Sequence, residues 1–193
     1  MCTTEVERKR QLSGIETGAV AARLAALGFH GKGSFTERDT YYSRPDTDYL
    51  ETAECLRVRQ RDGFAEITYK PASTSATHRH EGIIAKPETN VILAGVDQAE
   101  AADQLLVAIG MIPLARVEKS RALYRHPDFE DTTISLDVIT GLGVFVETEV
   151  TAADAIEAAA RLERLEQQLG LTACPIVSLP YRDLVLQHAS HVP

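Results

Sequence analysis

Cysteine is scarce. Of the 193 residues only Cys2, Cys55 and Cys174 are cysteine. An odd number with no CxxC pair and no metal-type spacing excludes a disulfide framework and fits idle or buried thiols in a reducing cytoplasm. No window approaches 18 consecutive apolar residues, which excludes a helical transmembrane span. Met1 to Arg10 is charged from the start and carries no apolar core, so no secretory signal is expected and the protein reads as cytoplasmic. There is no internal repeat and no low-complexity linker, and the length fits a single domain. Positive charge is in deficit: Lys plus Arg number 20 against 28 Asp plus Glu, for a formal net charge of −8. That balance argues against nucleic acid and against an anionic membrane as partners. At face value it also disfavours a small polyanion, but a net charge does not say where the charges sit.

What is present is ordinary globular material, 44% hydrophobic and 25% charged. Residues 4–12 alternate as a strand. Val20, Leu24 and Leu27 stand at helical spacing within 17–27, with Gly28 as a stop. Strands are expected over 35–43, 56–61, 65–70, 78–85 with 89–93 as its continuation past Pro87, 114–124, 132–139 and 144–150. Asp62-Gly63 is a strong hairpin signal between the third and fourth. Helices are expected over 96–109 and 151–169, the latter with Thr151 as N-cap and Gly170 as terminator, and a shorter one after Pro180. Hairpins dominate and no βαβ rhythm runs through the chain. The expected class is therefore α+β with a mainly antiparallel sheet of about eight strands, enough to close into a barrel with helices packed outside.

The informative feature is the parity of the charges. Residues i, i+2 and i+4 of a strand share a face. Glu5, Glu7 and Lys9 share one, as do Arg57, Arg59 and Arg61, then Glu66, Thr68 and Lys70. Lys119 and Arg121 are two apart, Asp137 lies between Leu136 and Val138, and Glu147 and Glu149 are two apart. A solvated sheet face would explain any one of these strands. Jointly they are nearly all ionised, and basic strands coexist with acidic ones. In a closed barrel with its apolar side outward, these charges would line the lumen. Acidic rows there suit a hard divalent cation, and basic rows suit phosphate oxygens. Arg8 and Arg10, of the other parity, read as solvated, and Glu157, Arg161 and Glu163 to Glu166 as a wet helix face.

These residues resemble the CYTH family, the triphosphate tunnel metalloenzymes that include class IV adenylate cyclases and thiamine triphosphatase. Glu5-Val6-Glu7-Arg8-Lys9 resembles its ExExK signature. Arg38-Asp39-Thr40-Tyr41-Tyr42, Leu56-Arg57-Val58-Arg59, Ile67-Thr68-Tyr69-Lys70 and Lys119-Ser120-Arg121 follow in family order. Leu136-Asp137-Val138, Gly141-Leu142-Gly143 and Phe145-Val146-Glu147-Thr148-Glu149 come next, then Pro180-Tyr181-Arg182. The likeness spans about residues 4–186 of a single domain over 1–193. It implies an eight-stranded antiparallel tunnel that holds a triphosphate with Mg²⁺ or Mn²⁺. By position, Lys9, Arg57, Arg59, Lys70, Arg79, Lys119 and Arg121 would bind phosphate. Glu5, Glu7, Asp137, Glu147 and Glu149 would hold metal, and Glu5, Glu7, Lys9, Glu81 and Asp137 would form the catalytic set. His78 and His80 have an HxH spacing, but the hard oxygen donors nearby argue against a soft-ligand site.

The implied substrates are tripolyphosphate, ATP or thiamine triphosphate. Some class IV cyclases carry a His-Phe pair ahead of ExExK, and Met1 to Thr4 contains none. Thiamine triphosphatases of the mammalian type set an aromatic residue, often Trp, against the thiamine ring, and this chain has no Trp. The expected activity is therefore a metal-dependent triphosphatase acting on inorganic triphosphate or a nucleoside triphosphate. A class IV adenylate cyclase is the alternative. A non-catalytic polyphosphate or nucleotide binder is a third reading, disfavoured because carboxylates in its site would oppose an anion. Any oligomer would by default be a homodimer.

Overall fold

The computed structural model describes residues 4–74 and 83–191, without the side chains of Ile15 and His191. The strands are β1 (Thr4–Leu12), β2 (His30–Ser43), β3 (Cys55–Arg61), β4 (Phe64–Lys70), β5 (Ile84–Pro87), β6 (Thr89–Ile92), β7 (Ile112–His126), β8 (Phe129–Ile139) and β9 (Gly143–Ala152). The helices are α1 (Gly14–Ala26), α2 (Gln98–Ala108), α3 (Ala155–Leu169) and α4 (Tyr181–His191). Nine strands form one sheet in the order β5-β1-β9-β8-β7-β2-β3-β4-β6. Every register resolved among them is antiparallel. The α+β antiparallel class is as expected, with nine strands in place of eight.

The described residues fall into two compact units, each discontinuous in sequence: those within 1–34, 75–86 and 120–178, and those within 35–74, 87–119 and 179–193. In the first, Val6 of β1, Ile83 and Ala85 beside and in β5, and Val150 of β9 bury against Ala158 and Leu162 of α3. A second cluster joins Leu12, Val20, Leu24, Phe29, Ile134, Leu136 and Val146 with Leu165 and Leu169 of α3. In the second unit, Tyr42, Val58 and Ala65 pack on Ala99, Ala102 and Leu106 of α2. In each unit the helices thus cover one parity of the strands and leave the charged parity on the other face.

Local chemistry sets the element ends. Gly63 adopts φ +67 in the turn between β3 and β4, the left-handed geometry for which Gly has no steric cost. α1 begins at Gly14, earlier than its apolar spacing indicates. Ser13 and Glu16 form a capping box: the Ser13 hydroxyl accepts from the Glu16 amide at 3.3 Å, and the Ser13 amide donates to Glu16 Oε2 at 2.6 Å. α3 begins later than expected. Thr151 and Ala152 are still paired with Glu5 and Thr4 in the sheet, so Asp154 takes the cap instead, with Oδ1 accepting from the amides of Ile156 at 2.8 Å and Glu157 at 3.2 Å. Gly170 ends α3 at φ +69.

Two surface expectations are overturned. Arg8 and Arg10 are buried, and Glu166 of α3 is only 1% exposed. Arg8 Nη1 donates to Glu166 Oε2 at 2.7 Å, Arg10 Nε and Nη2 donate to the same oxygen at 3.0 and 2.9 Å, and Arg10 Nη1 donates to the Cys174 carbonyl at 2.7 Å. The helix face read as wet therefore contains the counter-ion for the back of β1. Buried guanidinium needs such a partner, because desolvating an unpaired charge costs several kcal/mol or more.

Candidate functional site

Two charged clusters hold the residues singled out by parity, one in each unit. In the first unit they lie on β1, β9, β8 and the end of β7. The register sets Glu7 opposite Glu149 and Lys9 opposite Glu147. Glu147 faces Ser135, and Asp137 faces Arg121. Glu5, Glu7, Lys9, Arg121, Asp137, Glu147 and Glu149 thus share one face, opposite the one that Val6, Arg8 and Val150 turn to the helices. Asp137 is fully buried and takes Arg121 in a two-bond fork, Nε to Oδ1 at 2.7 Å and Nη2 to Oδ2 at 2.5 Å. The same Nη2 donates to Glu147 Oε2 at 2.5 Å. Arg121 is therefore held in one orientation by two carboxylates from neighbouring strands.

The second unit carries most of the basic set. Asp39 stands opposite Arg59 and Tyr41 opposite Arg57. On the other side Arg57 faces Thr68, Arg59 faces Glu66, and Cys55 faces Lys70. Asp39 is 1% exposed. Arg59 grips it with Nε to Oδ1 at 2.7 Å and Nη2 to Oδ2 at 2.8 Å, and the Tyr41 hydroxyl donates to Oδ2 at 3.3 Å. Arg57 Nη1 and Lys119 Nζ each lie 3.8 Å from the same carboxylate. Glu37, also buried, lies 3.2 Å from Lys119, 3.3 Å from Arg59 and 3.7 Å from Arg61. Lys70 Nζ lies 3.1 Å from Glu88. Arg61 lies over the rings of Phe64 and Phe35, at 4.3 and 4.8 Å from their centroids. The buried Arg57 Nε has no hydrogen-bond acceptor among the described residues.

Burial alone would push the Asp39 carboxyl up. The Arg59 and Arg57 guanidiniums and Lys119 outweigh it and hold the group far below the usual carboxylate range. The reciprocal effect raises Arg57 and Arg59 above their ordinary values despite desolvation. Burial, reinforced by Asp39, raises the Tyr41 phenol. Asp39, Arg57 and Arg59 therefore carry full charges at neutral pH. Tyr42, by contrast, packs in the core and donates to Asp103 Oδ1 at 2.6 Å.

Of the residues named from sequence, Arg79, Glu81, His78 and His80 lie outside the described residues. The other residues expected to bind phosphate or metal or to form the catalytic set fall into these two clusters. Three groups escaped the sequence reading: Glu37 and Asp39, whose parity on β2 matches the pattern that drew attention elsewhere, and Lys86 on β5. Lys86 is 7% exposed. Ile83 and Ala85 turn to the helix-facing cluster, so Lys86 takes the face of Glu5, Glu7 and Lys9.

Among the described residues no three His, Cys, Asp or Glu side chains are gathered closely enough to hold a metal ion by themselves. The donor chemistry nevertheless fits a hard cation. Glu7 directly opposite Glu149 is a like-charge cross-strand pair, which destabilises a sheet unless a cation lies over it. Mg²⁺ in particular needs only one or two carboxylates beside waters and phosphate oxygens. Asp137 fits less well as a ligand, because Arg121 occupies both of its oxygens.

The family model described as the CYTH domain matches residues 3–173. A relative from Methanocaldococcus jannaschii, named provisionally as an adenylate cyclase, is 30% identical over 166 residues, 86% of this chain and 87% of its own. The solved structure of the PH1819 protein from Pyrococcus horikoshii has a TM-score of 0.77 at 25% identity, covering 95% of this chain and 98% of that one. A Hippeastrum protein, described as an adenylyl cyclase in provisional name with a dominant triphosphatase activity, has a TM-score of 0.66 at 13% identity, covering 99% and 97%. That last likeness concerns the fold alone.

Proposed function

The chain belongs to the CYTH family, and we propose that it is a divalent-metal-dependent triphosphatase that hydrolyses inorganic triphosphate or a nucleoside or organic triphosphate. The observation that carries this reading is the β1–β9 ladder, where Glu7 opposes Glu149 and Lys9 opposes Glu147, so that hard oxygen donors and a phosphate-type cation alternate on one face. The buried Arg57 Nε, a donor without an acceptor among the described residues, adds support from the other unit.

In this reading Glu5, Glu7, Glu147 and Glu149 hold Mg²⁺ or Mn²⁺. The ion, when bound, neutralises phosphate charge and acidifies a coordinated water. Lys9 and Arg121 bind phosphate oxygens in one unit, and Arg57, Arg59, Lys70 and Lys119 do so in the other. Asp137 orients Arg121 by its two-bond fork, and Asp39 does the same for Arg59. Phosphoryl transfer needs chiefly such positioning and charge neutralisation, and no side chain has to form a covalent intermediate. Arg79 and Glu81 stay in the proposed phosphate-binding and catalytic sets on resemblance alone.

A class IV adenylate cyclase is the second reading, favoured by the name of the Methanocaldococcus jannaschii relative. One experiment separates them. Purified protein is incubated with Mg²⁺ or Mn²⁺ and tripolyphosphate, ATP or thiamine triphosphate, and the products are resolved. Orthophosphate is the expected product. Cyclic AMP with pyrophosphate would overturn the triphosphatase reading, and binding without turnover would overturn both.

A further inference from the structure

We propose that Lys86 is a further phosphate-binding residue of the triphosphate site, serving the anion from the β5 side of β1. The inference rests on the triphosphatase reading and adds to it a residue outside the charged motifs.

Three observations meet at Lys86. First, its position in the sheet is next to the acidic strand: β5 is the hydrogen-bonded neighbour of β1, which β9 flanks on its other side. Second, its direction is set by its neighbours. Ile83 and Ala85 are buried with Val6, Val150, Ala158 and Leu162, so the intervening parity, with Lys86, projects to the opposite face. Pro87 follows, and a residue before proline is confined to extended backbone, which fixes that direction. Third, the ammonium is carried by a side chain only 7% exposed. A lysine on a solvated sheet face would extend into water, since a desolvated ammonium is costly without negative charge beside it.

Across β5, β1 and β9 this face then holds two amines, Lys86 and Lys9, and four carboxylates, Glu5, Glu7, Glu147 and Glu149. Beside an ion held by those carboxylates, both amines would face the non-bridging oxygens of a bound phosphate chain. Arg121 differs from them. Its fork is shared between Asp137 and Glu147, which gives it a set orientation. Lysine on a flexible stem can instead follow a phosphate chain of variable position. The predicted ligand is thus an oligophosphate anion, and Lys86 adds to its binding without touching the attacking water.

The test uses the full chain and tripolyphosphate. Binding is measured by titration calorimetry in the presence of Ca²⁺, which takes the same oxygen donors, and the Mg²⁺ dependence of turnover separately, for wild type, Lys86→Met, Lys86→Gln and Lys86→Arg. The expected result is tripolyphosphate binding weakened about tenfold in whichever of the Met and Gln variants keeps the wild-type circular dichroism. Lys86→Arg should return to within about threefold, and the Mg²⁺ half-saturation should not move. If a folded Met or Gln variant binds as wild type does, Lys86 is not a ligand. A shift in Mg²⁺ half-saturation with unchanged tripolyphosphate binding would make it a counter-ion of the carboxylates instead. Unfolding of both neutral variants would make it a structural cation. If the wild type itself binds no tripolyphosphate, the triphosphatase reading fails, and the Lys86 assignment goes with it.

Discussion

Removing the Asp39 carboxylate should be among the most damaging single changes in the second unit. Asp39 is 1% exposed and receives two short bonds from Arg59, itself buried, with Arg57 and Lys119 each 3.8 Å away. Breaking a buried ion pair by deleting one partner costs about 3–5 kcal/mol, because the remaining charge is left uncompensated. Glu37 lies 3.3 Å from Arg59 and absorbs part of that loss, so the low end applies. For Asp39→Ala we expect about 3 kcal/mol, which for a chain of this size lowers Tm by roughly 6–12 °C. Urea unfolding followed by circular dichroism measures it. Deleting both charges, in Asp39→Ala with Arg59→Met, should recover much of the stability. The pH dependence has a definite sign. The Asp39 carboxyl is held low in the folded state, so its contribution is complete above the unfolded carboxylate value of about 4. It is lost as pH falls further, and the gap between wild type and Asp39→Ala should close in strong acid. Excess tripolyphosphate should stabilise Asp39→Ala more than wild type, because the added anion replaces the missing charge beside Arg59 and Lys119. A loss below about 1 kcal/mol, or no preferential rescue, would refute the view of Asp39 as the internal counter-ion of the basic set.

Glu166→Ala should destabilise by about 3 kcal/mol or more, since it strands Arg8 and Arg10 behind β1; a surface-like change of a few tenths in the same urea assay would contradict their pairing. Gly170→Ala should cost about 1–2 kcal/mol, since the left-handed φ of +69 disfavours a side chain and its Cβ would meet Arg23 Nη1 unless that arginine moves; thermal unfolding measures it. Burial and the hydrogen bond to Glu54 push the Tyr69 phenol up to about 12, so its ionisation by absorbance titration should lag that of free tyrosine, and the stability it lends below pH 10 should fade as pH rises through 12. Glu5→Gln combined with Glu147→Gln should abolish metal-dependent turnover and leave the circular dichroism unchanged; surviving activity would remove these carboxylates from the metal assignment.

Much of the arrangement was legible along the chain because strand parity is a local property. The alternation at Glu5-Glu7-Lys9, Arg57-Arg59 and Glu147-Glu149 requires only that each segment be extended, and Asp62-Gly63 dictates its hairpin from two residues. The helix ends were less legible. Thr151 has the chemistry of a cap, but its pairing opposite Glu5 keeps it in β9, so Asp154 caps α3. Burial was the least legible. Arg8 and Arg10 alternate as a solvated row would, and what pairs them is a carboxylate on α3, 158 and 156 residues away respectively. Glu37 and Asp39 share the parity that marks the other strands, so their place was legible, whereas Lys86, a single lysine before a proline, carries no local signal.

The deficit of positive charge is a sum over the chain and does not set the local field at any one strand face. From sequence alone the net charge of −8 is determined, as are the parity of the ionised residues and the motif order that places the chain in its family. Tertiary structure decided which of those charges are desolvated and which are paired. Backbone geometry sets the direction of a side chain from its immediate neighbours. The dielectric around a charge and the identity of its counter-ion depend on segments that only folding brings within a few ångströms, as Glu166 is brought to Arg8 and Arg10 and as Lys119 is brought to Glu37.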